Sequence, residues 1–521
     1  MGGLPDLEPS FPLRKRSPPL SIRPYPSAIT CPAFHTSRMR DLAQLLLPAI
    51  RWDLERGFAA ASAEIERALA LGVGGFILFG GEQSAVASLT AQLRAASPHP
   101  LLIAADLERG AGQQFGGCTQ LPPLAALGSL GDLIALRVAA RLTAREALAI
   151  GVNWSYAPVA DLDLEPENPI VGTRSLGSDT AMVSVAVMEM IDAMQGEGML
   201  ACAKHFPGHG RTTTDSHAVL PVVDASRAQL DVDLAPFVAA IDAGVASIMT
   251  AHVAYPALDP TGAPATCSRA IVHDLLREEL GFDGLIVTDA LIMGGVQDEG
   301  GEGHAASRAI AAGCDLLLYP NNPQASLHAL EVIAGRSVPR LQLDRSLERR
   351  DHWARWATAP AMARPVPDSD RIEAHDIADR AVHLVRGSIP PLGPRVSIAM
   401  VDDDLGGPYA PPSRHTLVEA LGAAGIEVEV ETHPSAGTRP LVIALFGDIR
   451  AWKGRPGYST AALDRVRQLV ANARAARRDV YVAQFSHPRL AAQLPGDVPV
   501  LCAWGGEGVM QQALARRLAR R

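Results

Sequence analysis

The sequence predicts an α/β protein in which a (β/α)8 TIM barrel is followed by a smaller α/β sandwich domain. Three observations support this fold class. Eight short apolar runs alternate with helical stretches between Leu45 and Tyr319, polar residues directly follow several of these runs, and four further apolar runs lie near the end of the chain. Such alternation is typical of β/α units, in which each strand is followed by a helix that packs on the sheet.

Each of the eight runs is almost continuously apolar, as expected for a parallel strand that is buried on both faces. Ala-rich amphipathic stretches, such as 60–71 and 143–151, separate most of the runs and predict helices. A doubly wound sheet usually has fewer units and a Gly-rich phosphate-binding turn, and no such turn follows the first run. The predicted strands are 45–50, 75–79, 101–105, 153–159, 200–203, 247–252, 285–288 and 315–319.

Polar residues stand at the carboxyl ends of five predicted strands. In a (β/α)8 barrel these ends meet at one face, and the active site lies on that face. The sequence therefore predicts that these side chains share a single cleft. They are Asp106, Asp161, Lys204 with His205, His252 and Asp289.

The N-terminal segment 1–38 differs in composition from the rest of the chain. It contains eight prolines and the basic cluster Arg14-Lys15-Arg16, with no apolar segment behind that cluster. This composition predicts a disordered arm and not a secretory signal. Met39 is a candidate for the true start of translation.

Three further segments are predicted downstream of this arm. The catalytic barrel is expected at 39–360, and a Pro-rich linker with a helix at 368–385 is expected at 361–395. Residues 396–521 are expected to form the C-terminal α/β domain. Its predicted strands are 396–401, 440–446, 480–485 and 498–502.

Composition suggests a globular protein that acts on an uncharged small molecule. The chain has 521 residues, 48% of them hydrophobic and 20% charged, which favours two domains with buried cores. A net charge of −9 argues against a nucleic-acid-binding surface, and no apolar run is long enough to cross a membrane. Six scattered cysteines without a CxxC pair predict free thiols and a cytoplasmic location. Nothing in the composition selects an oligomeric state.

The stretch KHFPGHGRTTTDSH, residues 204–217, concentrates polar chemistry in a segment whose Pro and Gly residues exclude a regular helix. Three interpretations are open: a solvated loop, a metal site, or a site of acid–base chemistry. His205 and His209 have the spacing of a helical zinc motif, but the Pro-Gly between them removes the helical face. Asp215 and His217 are two residues apart, close enough for the carboxylate to orient the imidazole.

The sequence KHFPGHG followed by DSH resembles the signature of glycoside hydrolase family 3, in its β-N-acetylglucosaminidase branch. The resemblance implies a (β/α)8 catalytic domain, a carbohydrate substrate and no cofactor or metal. It also implies that Asp215 and His217 form a dyad that replaces the usual acid/base carboxylate. The C-terminal segment is similar to the second domain of many family members.

Asp289 ends the apolar run LIVTD. A carboxylate at the end of a buried strand is costly unless it is hydrogen-bonded or paired, and capping of a following helix is one ordinary reason for it. The preceding HDLLREELGFDGLIVTD resembles the family's approach to its nucleophile. The resemblance therefore implies that Asp289 is the catalytic nucleophile.

Asp106 ends another apolar run and opens the sequence DLERGAGQQ. One carboxylate accepts hydrogen bonds from two adjacent sugar hydroxyls, although a capping or salt-bridged Asp gives the same pattern. The family form D-x-E-G-G-R-V-x-R implies that Asp106 binds the outer hydroxyls of the terminal sugar, which makes the enzyme exo-acting. Gln114 stands where this form has a sugar-contacting Arg, so the substrate preference is open at this position.

Arg174, in VGTRSLG, resembles the Arg of the family's G-x-R-S-F-G motif. A surface ion pair is the ordinary alternative for such a residue, but in the cleft its guanidinium is suited to hydroxyl or acetamido oxygens. The resemblance places Lys204 and His205 beside it as donors to the same ring. His209 and Arg211 are expected to shape the loop or to meet the leaving group.

These assignments predict an exo-acting, retaining β-N-acetylhexosaminidase for cell-wall or chitin-derived sugars. Asp289 attacks the anomeric carbon, while His217, oriented by Asp215, first donates a proton and later accepts one. Alternatives are a phosphorylase that uses phosphate in place of water, a β-glucosidase of the same family, a metal-dependent hydrolase, and a non-catalytic sugar-binding protein.

Overall fold

Strands and helices alternate along residues 41–358, and the strands in this part of the chain pair in parallel. The computed structural model describes residues 41–297, 300–358, 366–404, 412–431, 438–449 and 453–519. The predicted N-terminal arm at 1–38 and the candidate start at Met39 lie outside the described residues.

The described residues before 320 contain nine short strands. They are β1 (Leu46–Leu47), β2 (Ala49–Arg51), β3 (Gly75–Phe79), β4 (Leu102–Ala105), β5 (Trp154–Ser155), β6 (Cys202–Phe206), β7 (Ser247–Thr250), β8 (Leu285–Thr288) and β9 (Leu317–Leu318). β1 pairs with β9, β2 to β5 form a second sheet in chain order, and β6 to β8 form a third. Isolated parallel bridges join Trp154 to Leu200 and Val287 to Leu316.

Each predicted apolar run between 45 and 319 overlaps at least one of these strands. The first run is divided into β1 and β2 at Pro48, because proline has no N–H to donate to the ladder. The sequence placed Lys204 and His205 after the fifth strand, and this placement is wrong because β6 continues to Phe206. Both polar side chains are accommodated in a buried strand because they pair with carboxylates.

Helices separate most of the strands and cover the sheets. Asp132 and Asp179 accept hydrogen bonds from backbone N–H groups at two helix starts, and Ser226 forms a capping box with Gln229 at a third. In the described part of the chain, none of the helices combines the length and the apolar character needed to cross a membrane. The helices of this part are Ser62–Leu71, Gln83–Ala96, Leu124–Ser129, Leu133–Ala149, Thr180–Gly196, Arg227–Asp242, the π-helix Ala270–Glu279, Gly301–Ala312, Pro323–Ile333 and Arg340–Thr358.

The C-terminal part is built around a six-stranded sheet. Its strands are β10 (His383–Arg386), β11 (Arg395–Asp402), β12 (Glu427–Val430), β13 (Leu441–Phe446), β14 (Val480–Phe485) and β15 (Val500–Cys502). The order is β10-β15-β14-β13-β11-β12, and all pairs are parallel except that of β10 with β15. Its helices are Asp368–Ala381, Thr416–Ala423, Thr460–Ala475 and Gly508–Ala519. The chain is therefore a mixed α/β protein with parallel sheets, as the sequence predicts.

The two edge strands of this sheet, β10 and β12, were not predicted. The four predicted strands were found as continuous apolar runs, which identify strands that are buried on both faces, whereas β10 and β12 are only partly buried. The helix predicted at 368–385 is wrong at its end, because it stops at Ala381 and the backbone becomes extended at Val382. The segment predicted as a linker thus contributes a strand to this sheet.

Candidate active site

Most of the sequence-predicted site residues line one pocket of about 440 Å³. They are Asp106, Gln114, Arg174, Lys204, His205, His217 and Asp289. The pocket lies where β4, β6 and β8 end, since Asp106 follows β4, Lys204 and His205 lie on β6, and Asp289 follows β8. Asp215 stands behind His217, to which it is hydrogen-bonded.

One wall of the pocket is a chain of buried ion pairs. The Lys204 Nζ donates to Asp106 Oδ1 at 2.7 Å and lies 2.8 Å from Glu108 Oε1. Arg174 forms a bidentate pair with Glu108, with distances of 2.9 and 2.8 Å. Burial raises the pKa of Glu108, but the charges of Arg174 and Lys204 lower it further, well below its usual range. The four side chains are therefore charged and fix one another in place.

His205 is held by Asp161, a buried residue that follows the fourth predicted strand. The Asp161 carboxylate lies 2.7 Å from His205 Nδ1 and also accepts the backbone N–H groups of His205 and His209. Burial raises the pKa of Asp161, but the two histidines lower it overall. Because the Asp161 carboxylate takes a donor at Nδ1, the other ring nitrogen of His205, Nε2, is the one left for the pocket, and it lies 3.5 Å from Arg174.

A second part of the pocket lining is His217, which pairs with Asp215. His217 Nδ1 lies 2.9 Å from Asp215 Oδ1, which also accepts the backbone N–H of His217. With Nδ1 turned to the carboxylate, Nε2 is the ring nitrogen available for proton transfer. The side chain of His217 is 50% exposed, whereas that of Asp215 is 9% exposed.

Asp289 lies in the same pocket as His217, and the segments that carry them are bonded together. Gly294 donates its N–H to the carbonyl of His217 at 3.1 Å, and Gly295 donates to the carbonyl of Ser216 at 3.0 Å. These bonds fix the loop of His217 against the turn that follows Asp289. Asp289 and His217 therefore line one cavity.

The environment of Asp289 favours its anionic form. Burial raises its pKa, but the imidazoles of His205, His252 and His217 and the N–H of Ala290 lower it, to about 2. The capping interpretation does not hold for this residue, because Asp289 Oδ1 accepts from the adjacent Ala290 at 2.7 Å and the next helix begins only at Gly301. Asp289 is therefore an ionised carboxylate whose pKa is lowered mainly by the neighbouring histidines.

His209 and Arg211 shape the loop. His209 is buried, and its ring nitrogens lie 2.7 Å from Thr212 Oγ1 and 3.1 Å from Ser216 Oγ. Burial lowers the pKa of His209 to about 4. Arg211 donates to Asp233 on the helix Arg227–Asp242, at 2.7 Å.

The geometry does not favour the metal interpretation of His205 and His209. Their rings are 5.8 Å apart between centroids and nearly perpendicular, and each is turned to different hydrogen-bond partners. In the part of the chain that the structure describes, no three His, Cys, Asp or Glu side chains are grouped as metal ligands would be.

Gln114 lines the pocket, and its Oε1 accepts the N–H of Gly80 at 3.3 Å. Arg51, at the end of β2, also lines the pocket. Arg51 donates to the Tyr319 hydroxyl at 2.7 Å and stacks on the ring of Phe79. Sequence reasoning did not single out Arg51, because an Arg at a strand end carries no motif of its own.

Several further lining residues were also missed. Glu108 and Arg109 lie beside Asp106, and Asp448 and Glu507 come from the C-terminal sheet. Asp448 follows β13 and Glu507 follows β15. The rule that predicts functional groups at the strand ends before residue 320 would have found both if it had been applied to the six-stranded sheet.

The sequence of the chain is similar to a known protein family. The model of the glycosyl hydrolase family 3 N-terminal domain matches residues 39–350. A beta-hexosaminidase of Chromobacterium violaceum is 38% identical over 322 residues, which cover 59% of this chain and 89% of the relative. A beta-hexosaminidase of Nitrosomonas eutropha is 40% identical over 267 residues, which cover 49% of this chain and 75% of the relative.

Solved structures are similar over both parts of the chain. A glycoside hydrolase family 3 beta-N-acetylglucosaminidase from Paenibacillus sp. strain FPU-7 is 28% identical, with a TM-score of 0.82 over 92% of this chain and 96% of its own. A beta-glucoside phosphorylase that is 22% identical shares the fold, with a TM-score of 0.80 over 92% of this chain and 91% of its own. The chain belongs to glycosyl hydrolase family 3.

Proposed function

We propose that the protein is an exo-acting, retaining β-N-acetylhexosaminidase that removes terminal β-linked N-acetylglucosamine. The observation that carries this proposal is the placement of Asp289 and the Asp215–His217 pair in one pocket, on segments joined by backbone hydrogen bonds. The names of the relatives and of the 28% identical structure support the choice of sugar.

The reaction proceeds in two steps. Asp289 attacks the anomeric carbon to form a covalent glycosyl-enzyme, and His217 donates its proton to the departing glycosidic oxygen. Neutral His217 then removes a proton from water, the water oxygen attacks the same carbon, and the Asp289 carboxylate is released. Two displacements retain the anomeric configuration. Asp215 stabilises the protonated imidazole and holds its tautomer.

The wall of buried ion pairs binds the terminal sugar. Asp106 is the most exposed carboxylate of this wall, at 29% of its side chain, and accepts from adjacent hydroxyls of the ring. Lys204, Arg174 and His205 contribute polar contacts to the same ring. Because these groups surround the outer end of the sugar, a chain that continues beyond it is excluded, and the enzyme is exo-acting.

We also propose that the three parallel sheets close into one (β/α)8 barrel. The bridges from Trp154 to Leu200 and from Val287 to Leu316 support this, since they connect the end of one sheet to the start of the next. In this organisation 39–360 is the catalytic domain, 361–395 connects, and 396–521 is the C-terminal domain. An experimental structure with eight strand positions paired in a ring is the expected result.

We place the activity in the cytoplasm, on sugars derived from the cell wall or chitin. In the described part of the chain Cys118, Cys202, Cys314 and Cys502 form no disulfide, which supports a reducing compartment. Fractionation of the source cells, with activity followed against β-linked N-acetylglucosamine, checks the compartment; activity confined to the culture medium contradicts it.

A panel of chromogenic β-glycosides tests the proposed function. The wild-type chain is expected to prefer the β-N-acetylglucosaminide, and Asp289→Ala and His217→Ala are each expected to lose that activity. Product analysis in phosphate buffer separates the acceptors: free sugar supports hydrolysis, and sugar 1-phosphate supports the phosphorylase. Preference for a β-glucoside, or full activity in either variant, contradicts the proposal.

A further inference from the structure

Two short segments border the sugar-binding wall, Glu108-Arg109 and Thr173-Arg174, and two pairs of side chains connect them. On the pocket side, Arg174 forms its bidentate pair with Glu108. The residues next to these in sequence, Arg109 and Thr173, are also bonded, with Arg109 Nη2 donating to Thr173 Oγ1 at 3.0 Å. The position of Arg174 therefore depends on both pairs.

Asp448, which follows β13 of the C-terminal sheet, holds the second pair. Its Oδ2 accepts from the Arg109 guanidinium at 3.1 Å, and its Oδ1 accepts from the Thr173 hydroxyl at 2.8 Å. One carboxylate thus binds one side chain from each segment. Glu507, which follows β15, adds a second ion pair to Arg109.

This contact is buried and closely packed. Thr173 is 0% exposed and Asp448 1% exposed, while the side chain of Arg109 is 11% exposed. Burial of these charges is tolerated because they pair and hydrogen-bond with one another. There is little free space beside them, since a Cβ on Gly172 would lie 2.5 Å from the side chain of Ile449.

The contact lies at the edge of the pocket. Arg109, Asp448 and Glu507 line the same cavity as Asp106 and Asp289. The loop of His217 is held by other bonds, from Gly294 and Gly295. The C-terminal sheet therefore contacts the side of the pocket that binds the sugar, and a separate set of bonds holds the acid/base side.

We propose that Arg109 is a positioning residue through which the C-terminal sheet, by way of Asp448 and Glu507, sets the position of Arg174 and hence the affinity for the terminal sugar. This rests on the proposed function, which assigns Arg174 to sugar binding. The C-terminal domain then has a role in substrate binding, while the groups that carry out the chemistry are positioned independently of it.

A matched ion pair provides the control. Arg145 donates to Asp370 at 2.9 Å and to Glu197 at 2.8 Å, and its side chain is 15% exposed. Like Arg109, it is a mostly buried arginine that joins the first part of the chain to a segment beyond residue 366, but it does not line the pocket. A purely structural ion pair would make Arg109→Met behave like Arg145→Met.

The experiment compares Arg109→Met, Arg109→Lys and Arg145→Met with wild type in the full chain, using a chromogenic β-N-acetylglucosaminide. Arg109→Met is expected to raise KM about tenfold and to change kcat less than about threefold, since it removes binding without touching the reacting groups. Arg109→Lys is expected to have a KM between those of wild type and Arg109→Met. Arg145→Met is expected to lower Tm while KM stays at the wild-type value.

Wild-type KM in folded Arg109→Met overturns the proposal, as does an equal KM change in Arg145→Met or a loss confined to kcat. If Arg109→Met does not fold, Thr173→Val decides, because it removes one hydroxyl from the same contact; raised KM supports the proposal and unchanged KM overturns it. If wild type is inactive on this substrate, the proposed function fails first, and the same variants are then measured on the glycoside of the panel that wild type does cleave.

Discussion

The two sides of the pocket are built in different ways. On the sugar-binding side, Lys204 and Glu108 have side chains only 2% and 5% exposed and are fixed by a continuous chain of ion pairs. On the acid/base side, the His217 side chain is 50% exposed and has one carboxylate partner, Asp215. The groups proposed to bind the sugar are thus held in place by one another, while the proposed proton donor keeps contact with solvent.

Because of this difference, substitutions on the two sides should affect stability and reaction rate differently. Removing one member of a buried ion-pair network leaves uncompensated charges, which is strongly destabilising. An exposed pair contributes little to the free energy of unfolding. Substitutions on the first side should therefore change stability and binding together, and substitutions on the second side should change the rate of reaction alone.

The largest effect is expected at Asp289, which faces both sides. Asp289→Asn should lower kcat/KM roughly 10⁴-fold or more, because it removes the attacking carboxylate. The Tm should stay close to that of wild type, since the Asn oxygen still accepts the N–H of Ala290. Steady-state kinetics and a thermal melt measure both values; a fall of less than about tenfold in kcat/KM would contradict the role.

His217→Gln tests the exposed side. The variant should lower kcat about 10²- to 10³-fold, with a larger loss for poor leaving groups, because general acid catalysis matters most for these. Its Tm should not change. The control is His273→Gln, another histidine that contacts a neighbouring carboxylate, Asp274, but lies on a helix outside the pocket. Equal kcat in the two variants would contradict the role of His217 as the general acid.

Lys204→Met tests the buried side. It leaves Asp106 and Glu108 without their shared cation, so the free energy of unfolding should fall by about 3 kcal/mol and KM should rise. Arg227→Met is the control, because Arg227 also bridges two carboxylates but is 47% exposed, and it should cost less than about 1 kcal/mol. Chemical denaturation measures the free energy of unfolding of both variants. Similar losses would contradict the expectation that the buried ion pairs of the sugar-binding side contribute more to stability than exposed ones.

The last effect is a pH dependence of stability that comes from His209. Its folded pKa is lowered to about 4 from an ordinary value of 6.5, so the unfolded chain takes up the proton first as the medium is acidified. Stability from this group is complete above pH 6.5 and is lost as the pH falls towards 4, by roughly 3 kcal/mol.

Denaturant melts between pH 7 and pH 4 measure this loss in wild type, His209→Gln and His217→Gln. The first variant should show a shallower fall than wild type, because the buried imidazole is gone, and the second should match wild type. The same slope in all three proteins would show that burial of His209 does not govern acid stability, and the contrast between these two histidines of one loop would fail.

Many of the pocket residues could be anticipated from sequence because they stand at fixed places along the chain. Asp106 and Asp289 directly follow buried apolar strands, and parallel strands bring such positions to one edge. Asp215 and His217 are close in sequence, so their contact is local. The error at Lys204 and His205 arose because polar residues were taken to end the strand, whereas pairing with carboxylates lets β6 continue through them.

The pairing of Arg109 with residues of the C-terminal sheet could not be anticipated in the same way. Arg109 meets Asp448 and Glu507 across more than 300 positions of sequence, and no local pattern records such a contact. Strands β10 and β12 were missed for a related reason, since edge strands lack the continuous apolar run that marks a central strand. Long-range pairing and partial burial are properties of the folded chain.

The proposed mechanism requires that Asp289 form a covalent bond to the sugar and that His217 be present to release it. Mass spectrometry of His217→Gln mixed with a 2,4-dinitrophenyl β-N-acetylglucosaminide tests both parts, because this leaving group departs without an acid while hydrolysis of the intermediate still needs the base. The intact protein should gain the mass of one N-acetylhexosamine residue, and the peptide that carries it should contain Asp289. An unmodified protein that turns the substrate over, or a sugar attached to another residue, would contradict the account.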